Sequence, residues 1–236
     1  MIKLEECSVQ WKEQQLLSSI NLHVYEGDFF CLIGESGGGK TLLSRLMLGW
    51  LPKGFEVSGT ISAKQDKMEI ILQNPIGSMQ ANSKVGAQFH HLLKSKGIKE
   101  KRRREQQMMQ ILASVGFSNM GEILNKRPFQ LSGGMCQKIA IAMALISQPE
   151  IIIADEPTSA LDAESQQNMM TLLWNIYRER GLTIVLITHN LNMVREYGTH
   201  VGIVKEGRLI EAGTTRQVLT NPQEKYTQEL IEIFER

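Results

Sequence analysis

Apolar residues change their spacing twice along this chain. In the first third they come in short blocks, Val9–Trp11, Ile20–Val24 and Phe29–Ile33, parted by turn residues such as Glu26-Gly27-Asp28. Short blocks rich in apolar and aromatic residues predict strands. A glycine-rich stretch over 34–39 follows, after which Leu42, Leu43, Leu46 and Met47 recur at helical spacing. Glu69–Leu72 reads as one more short strand.

From Ser83 to about Gln148 the pattern is helical and more polar. Val85, Phe89, Leu92 and Leu93 share one face, and a second helix is predicted over about Lys101–Val115. The last third returns to alternation. Ile151–Ala154 is a continuous apolar run, as suits a strand buried on both faces. Met169, Leu172, Leu173, Ile176 and Tyr177 then fall on one face of a helix. Thr183–Thr188 is a second buried strand, and His200–Lys205 and Arg208–Glu211 flank Glu206-Gly207, a hairpin signal. Strands alternating with helices at this spacing predict βαβ units and a parallel sheet, with the helical middle inserted into an α/β core.

Composition narrows the class. The 236 residues suffice for a sizeable core. With 42% hydrophobic and 22% charged residues, a disordered chain or a fibrous repeat is excluded. Lys and Arg number 26 against 25 Asp and Glu, a net charge of +1, so no overall charge excess points to nucleic acid. The longest uninterrupted apolar run, Ile139–Ile146, falls far short of the ~18 residues of a membrane span. The N-terminal residues carry no apolar signal-peptide core. A cytoplasmic chain is expected, with any membrane role supplied through a partner.

Cys7, Cys31 and Cys136 are odd in number and far apart, and no CxxC is present. That argues against structural zinc and fits a reducing compartment. His90 and His91 are adjacent and diverge on a helix, so they make a poor metal pair. The run Lys99–Arg104 reads first as a solvated helix face and second as a contact for an anionic surface.

Gly34-Glu35-Ser36-Gly37-Gly38-Gly39-Lys40-Thr41 matches G-x-x-x-x-G-K-[ST], between a predicted strand and a predicted helix. Glycines let the backbone wrap with its N–H groups inward. The helix N-terminus adds partial positive charge where phosphates would sit. Lys40 brings a full charge to the terminal phosphates, and the Thr41 hydroxyl is a hard oxygen ligand for Mg²⁺. Nucleotide binding is expected, with Leu42 continuing the same stretch. A dinucleotide fold has no need of the Lys-Thr pair. Asp155-Glu156 closes the apolar run from Ile151, and open α/β sheets bind ligands at strand C-termini. Asp155 would orient Mg²⁺, and Glu156 would polarise the water that attacks the γ-phosphate. Without a phosphate loop, the pair would read equally well as the start of a surface loop.

At this point the chain resembles the ATP-binding subunits of ABC transporters over nearly its whole length. Leu131-Ser132-Gly133-Gly134-Met135-Cys136-Gln137 is similar to the family's signature sequence. Gln73 of Gln73-Asn74-Pro75 matches the Q-loop, Asp162 of Ser159-Ala160-Leu161-Asp162 the D-loop, and His189 of Thr188-His189-Asn190 the switch histidine.

The resemblance implies an ABC-type P-loop NTPase core with an antiparallel β lobe and an inserted α-helical subdomain. The core and lobe would take residues 1–82 and 149–236, and the subdomain 83–148, in one domain. It implies two such subunits closing head to tail on two ATP molecules, each ATP lying between one phosphate loop and the other subunit's signature. Leu131, Ser132, Gly133, Gly134 and Gln137 would face the partner's ATP, with Ser132 and the following N–H groups as a second anion site. Gln73 would sense Mg²⁺ and water, and His189 would contact the γ-phosphate. Trp11 either stacks on adenine or simply packs. The implied partners are a second ATPase subunit, two transmembrane permease subunits and, indirectly, an extracytoplasmic substrate-binding protein, with the chain peripheral on the cytoplasmic membrane face.

Within the superfamily the nearest likeness is to importers of peptides, nickel and metal–opine chelates. It rests on Gln73-Asn74-Pro75 with Ser78 and Val85-Gly86, on Gly134-Met135 with Gln137, and on Asn221-Pro222 with Tyr226-Thr227 and Leu230. Departures are Gln80-Ala81 for Asn-Pro, Cys136 for arginine and Glu224-Lys225 for His-Pro. A short stretch between Gly59 and Glu69 and an end at Arg236 resemble the compact subunits of nickel and metallophore importers. Two other readings stay open: a catalytically silent subunit of a heterodimer, and a soluble non-transport ABC ATPase.

Overall fold

A computed structural model of the chain describes residues 1–235; Arg236, the last residue expected in the core, lies outside them. The chain opens with β1 (Ile2–Trp11), β2 (Gln14–Val24), β3 (Phe29–Ile33), α1 (Lys40–Leu48), β4 (Phe55–Ala63) and β5 (Met68–Ile71). Four helices follow: α2 (Val85–Ser95), α3 (Lys101–Ser114), α4 (Met120–Asn125) and α5 (Gly133–Ile146). Then come β6 (Ile151–Asp155), α6 (Ala163–Arg180), β7 (Thr183–Ile187), α7 (Leu191–Tyr197), β8 (His200–Lys205), β9 (Arg208–Thr214), α8 (Thr215–Thr220) and α9 (Lys225–Glu235).

Two compact units emerge. The first takes Met1–Met68, Glu150–Glu156 and the chain from Ile176 onward. Its central strands run in the order β6-β7-β3-β8-β9, parallel except for β9. Every residue of β3, β6 and β7 is buried, which is why their sequences are continuous apolar runs rather than alternations. Glu206 and Gly207 link β8 to β9 with φ of 47° and 72°, the doubly left-handed turn that matches strand twist in a tight hairpin.

The same unit carries an antiparallel lobe in the order β2-β1-β4. Here the sequence pattern falls short. The strand over Val9–Trp11 in fact begins at Ile2. Ile2, Leu4, Cys7 and Val9 are all buried, but the register shifts between Glu5 and Ser8, so the alternation changes parity midway. Glu6 takes a φ of 48° at this bulge, and Gly59 on the facing strand takes 91°; a Cβ there would lie 2.5 Å from the Glu6 carbonyl. β4 has no counterpart in the sequence reading, although Phe55, Val57, Ile61 and Ala63 alternate with polar residues there; Gly59 interrupts that alternation, and most of the strand's side chains are exposed.

The second unit takes Glu69–Pro149 and Pro157–Asn175. α2 packs on α3, α4 and α5. Val85, Phe89 and Leu93 bury one stripe of α2, and Met108 and Leu112 do so on α3. α5 is buried nearly all round, as its apolar run requires. Arg104 leaves the solvated face expected of the basic run: its guanidinium donates to the Ile98 and Lys99 carbonyls and to His90 Nδ1. This is the α/β architecture expected, with an antiparallel lobe and helices between β5 and β6.

Candidate nucleotide site

The buried strand β3 delivers the chain to Gly34, where φ is 149° and an added Cβ would lie 2.0 Å from the Val204 carbonyl oxygen. No other residue type fits that approach. Gly38 donates to the Glu35 carbonyl at 3.1 Å, and its own carbonyl accepts the Gly207 N–H at 2.9 Å, tying the loop to the β8–β9 turn. α1 then starts with no side-chain cap and no acidic residue in its first turn. Its leading N–H groups, with the local dipole, favour an anion.

Lys40 is 6% exposed, and its ammonium donates to the Gly34 carbonyl at 2.8 Å and the Glu35 carbonyl at 2.7 Å. Burial lowers its pKa, against the opposing pull of Glu156, Asp155 and Glu35. The next residue, Thr41, donates its hydroxyl to Asp155 Oδ1 at 3.3 Å. Asp155 ends β6 at 7% exposure. Burial raises its pKa, the Thr41 hydrogen bond lowers it, and the charge of Glu156 raises it again.

Glu156 holds a φ of 45°, a left-handed conformation costing about 1–3 kcal/mol in a non-glycine residue. Its N–H donates to the Ile187 carbonyl at the end of β7, so the chain turns sharply off the sheet. Two residues past β7, His189 Nδ1 stands 3.7 Å from Glu156 Oε2. The histidine side chain is 63% exposed and that of Glu156 23%. Lys40, Thr41, Asp155, Glu156 and His189 thus come from the C-terminal ends of β3, β6 and β7, one cation facing two carboxylates. Thr41 and Asp155 are hard oxygen donors already in contact, and a divalent cation would offset the charge buried on Asp155, so the donor set fits Mg²⁺.

Trp11 ends β1 at 40% exposure, with its ring stacked on Phe55 at 6.3 Å and Lys12 Nζ 4.5 Å from its centroid. Ser36 and Gly37 are exposed, and Leu42 is half-buried on α1. Glu35 is exposed, yet its backbone N–H donates to the Tyr226 hydroxyl of α9 at 3.2 Å. That contact spans 191 residues, and no local pattern announces it.

In the second unit, Gln73 follows β5 and Leu72. Ser132 is exposed and caps α5 through Oγ, which accepts the Met135 N–H at 3.3 Å. Leu131 and Gly134 are half-buried, and Gly133 is exposed. Gln137 is 1% exposed and donates Nε2 to the Leu72 carbonyl at 3.4 Å. Its side chain faces inward, bracing α5 against the segment that leads to Gln73. Asp162 caps α6, accepting the Ser165 N–H at 2.9 Å and the Ser165 hydroxyl at 2.7 Å, and these bonds hold its carboxyl below the usual range.

This convergence on the strand ends of a buried parallel sheet places the chain among the P-loop nucleotide-binding α/β proteins. The ABC transporter family profile matches residues 17–159, and the chain belongs to that family. It is 31% identical, over 93% of its length and 70% of the relative's, to the oligopeptide transport ATP-binding protein OppD of Lactococcus lactis subsp. cremoris. It is 34% identical to the dipeptide transport ATP-binding protein DppD of Bacillus subtilis, over 92% of its length and 70% of the relative's. Among solved structures, the dimeric post-hydrolysis state of the ATP-binding cassette MJ0796, bound to ADP and Pi, superposes with a TM-score of 0.77 at 27% identity. That match covers 92% of this chain and 99% of the other. Among the described residues, no helix is long and apolar enough to cross a membrane.

Proposed function

We propose that this chain drives an ABC importer by binding and hydrolysing ATP between two cassettes, with peptides as the cargo class. The observation that carries the reading is the approach of His189 to Glu156, in the same unit as the Lys40 loop and the Thr41–Asp155 contact. The peptide class is supported by the relatives named for oligopeptide and dipeptide transport. A catalytically silent subunit is disfavoured, because each group the hydrolytic step needs has its counterpart here.

Lys40 and the N–H groups opening α1 bind the terminal phosphates. Thr41 and Asp155 would hold Mg²⁺, which when bound neutralises phosphate charge. Glu156 accepts a proton from water as that water's oxygen bonds to the γ-phosphorus. The bond to the bridging oxygen breaks, releasing ADP and phosphate. His189 donates a hydrogen bond to the γ-phosphate and orients it. Ser132, Gly133 and Gly134 of a second cassette close over the same phosphates, so ATP joins the two cassettes and hydrolysis parts them. Asp162 lies in the D-loop of that dimer, and Gln137 supports the signature from behind. Two permease subunits, fed by an extracytoplasmic binding protein, would convert this cycle into transport at the cytoplasmic membrane face.

The test is ATPase rate against protein concentration, with and without a candidate partner cassette. A rate rising more than linearly, or requiring the partner, supports the closing pair. ATP binding without turnover under every pairing transfers the chain to the silent-subunit reading.

A further inference from the structure

Tyr226 stands in the first turn of α9, and its hydroxyl accepts the Glu35 N–H at 3.2 Å. That N–H belongs to the Gly34–Glu35 peptide, whose other polar group is the Gly34 carbonyl. Among the described residues every peptide bond is trans, so the two groups point in opposite directions from one rigid plane. One side of the plane meets Tyr226. The other meets Lys40, whose ammonium donates to the Gly34 carbonyl at 2.8 Å.

The tyrosine is itself held. Lys205 Nζ lies 4.4 Å from its ring centroid, at the end of β8. The preceding residue, Val204, presents the carbonyl that excludes any side chain at position 34. Burial raises the phenol's pKa; the Glu35 N–H bond works the other way, and the carboxylates of Glu35 and Glu206 raise it further. The hydroxyl therefore stays neutral at pH 7.

We propose that Tyr226 is a positioning residue for nucleotide binding: its hydroxyl fixes the Gly34–Glu35 peptide plane, aims the Gly34 carbonyl at Lys40, and holds the loop in its receiving shape before phosphate arrives. The proposal rests on the ATP-binding reading of the loop. Without the hydroxyl the plane is held from the Lys40 side alone, and nucleotide has to complete its ordering on binding. Uniform binding is then lost while the chemical step is untouched.

Tyr226→Phe keeps the ring and the Lys205 contact and removes one oxygen. Calorimetric titration should show ATP with Mg²⁺, and ADP, binding about threefold to tenfold more weakly, the worth of one hydrogen bond. The KM for ATP should rise with them, and kcat at saturating ATP should not change. A purely structural role would lower Tm and leave the affinities alone. A phenylalanine variant that binds both nucleotides like the parent overturns the proposal. A parent that binds no ATP overturns the nucleotide reading and this proposal with it. Hydrogen exchange on the unsubstituted chain is an independent arm. The Glu35 amide should be protected without nucleotide, and exchange at the rate of an open loop amide overturns the proposal.

Discussion

The Thr41 hydroxyl donates to the Asp155 carboxylate at 3.3 Å, joining residues 114 apart in sequence. That hydrogen bond, with the charges of Lys40 and Arg45, only partly offsets the burial of Asp155, whose pKa stands above the ordinary carboxyl value mainly because of desolvation. A carboxyl with a raised folded pKa stabilises the fold only when protonated, and that stability is lost as pH rises through the folded pKa. Asp155→Asn copies the protonated form. It should raise the Tm of the nucleotide-free chain near pH 7, and the gain should vanish as pH falls toward about 4, the ordinary carboxyl range. The same variant should lose ATPase activity. Calorimetric Tm across pH measures this, and an asparagine variant no more stable than the parent at pH 7 contradicts it.

Glu156→Gln removes the proton acceptor and preserves size. ATP should still bind, while kcat falls by about 10²–10⁴-fold, the usual contribution of a positioned base. With release blocked, the cassette pair should persist on ATP and be visible by size-exclusion chromatography. Turnover at the parental rate removes Glu156 from this role.

Lys40→Ala takes away the one full positive charge at the loop. Hydrogen bonds to charged groups contribute about 1.5–3 kcal/mol, so ATP affinity should fall by roughly 10- to 100-fold. Equilibrium titration checks this, and an unchanged affinity contradicts the phosphate-loop assignment.

Trp11 stacks on Phe55 and remains 40% exposed, so part of the ring is open to a ligand. If adenine stacks there, Trp11→Ala should weaken ATP binding by about 1–3 kcal/mol and abolish quenching of Trp fluorescence by ATP. Unaltered affinity makes Trp11 a packing residue of the β lobe.

Local patterns in the sequence carried much of this structure. β3, β6 and β7 are buried on both faces, so they appear as unbroken apolar runs, and the phosphate loop is contiguous. The first half of β1 was hidden because the bulge at Glu6 changes the parity of its buried positions. β4 left a weaker trace: Phe55, Val57, Ile61 and Ala63 alternate with polar residues, but Gly59 breaks the pattern and most of the side chains stay in water while the backbone pairs with β1. In the site, Lys40, Thr41, Asp155 and Glu156 could be read from spacing and context. Gln137 as an inward brace and Tyr226 as the partner of Glu35 could not, since each bond joins segments that only the fold brings together.

β3 lies between β7 and β8 in the sheet. Both neighbours are encoded far downstream, β7 beginning roughly 150 residues after β3 ends. At ~5–20 residues per second, a ribosome finishes β3 on the order of 10–30 s before β7 exists. For that interval the nascent chain holds an apolar strand with both edges unpaired, already joined to its phosphate loop. Slower translation lengthens the exposure of that unpaired apolar edge, which pairs with other chains as readily as with β7 and β8 until those strands arrive.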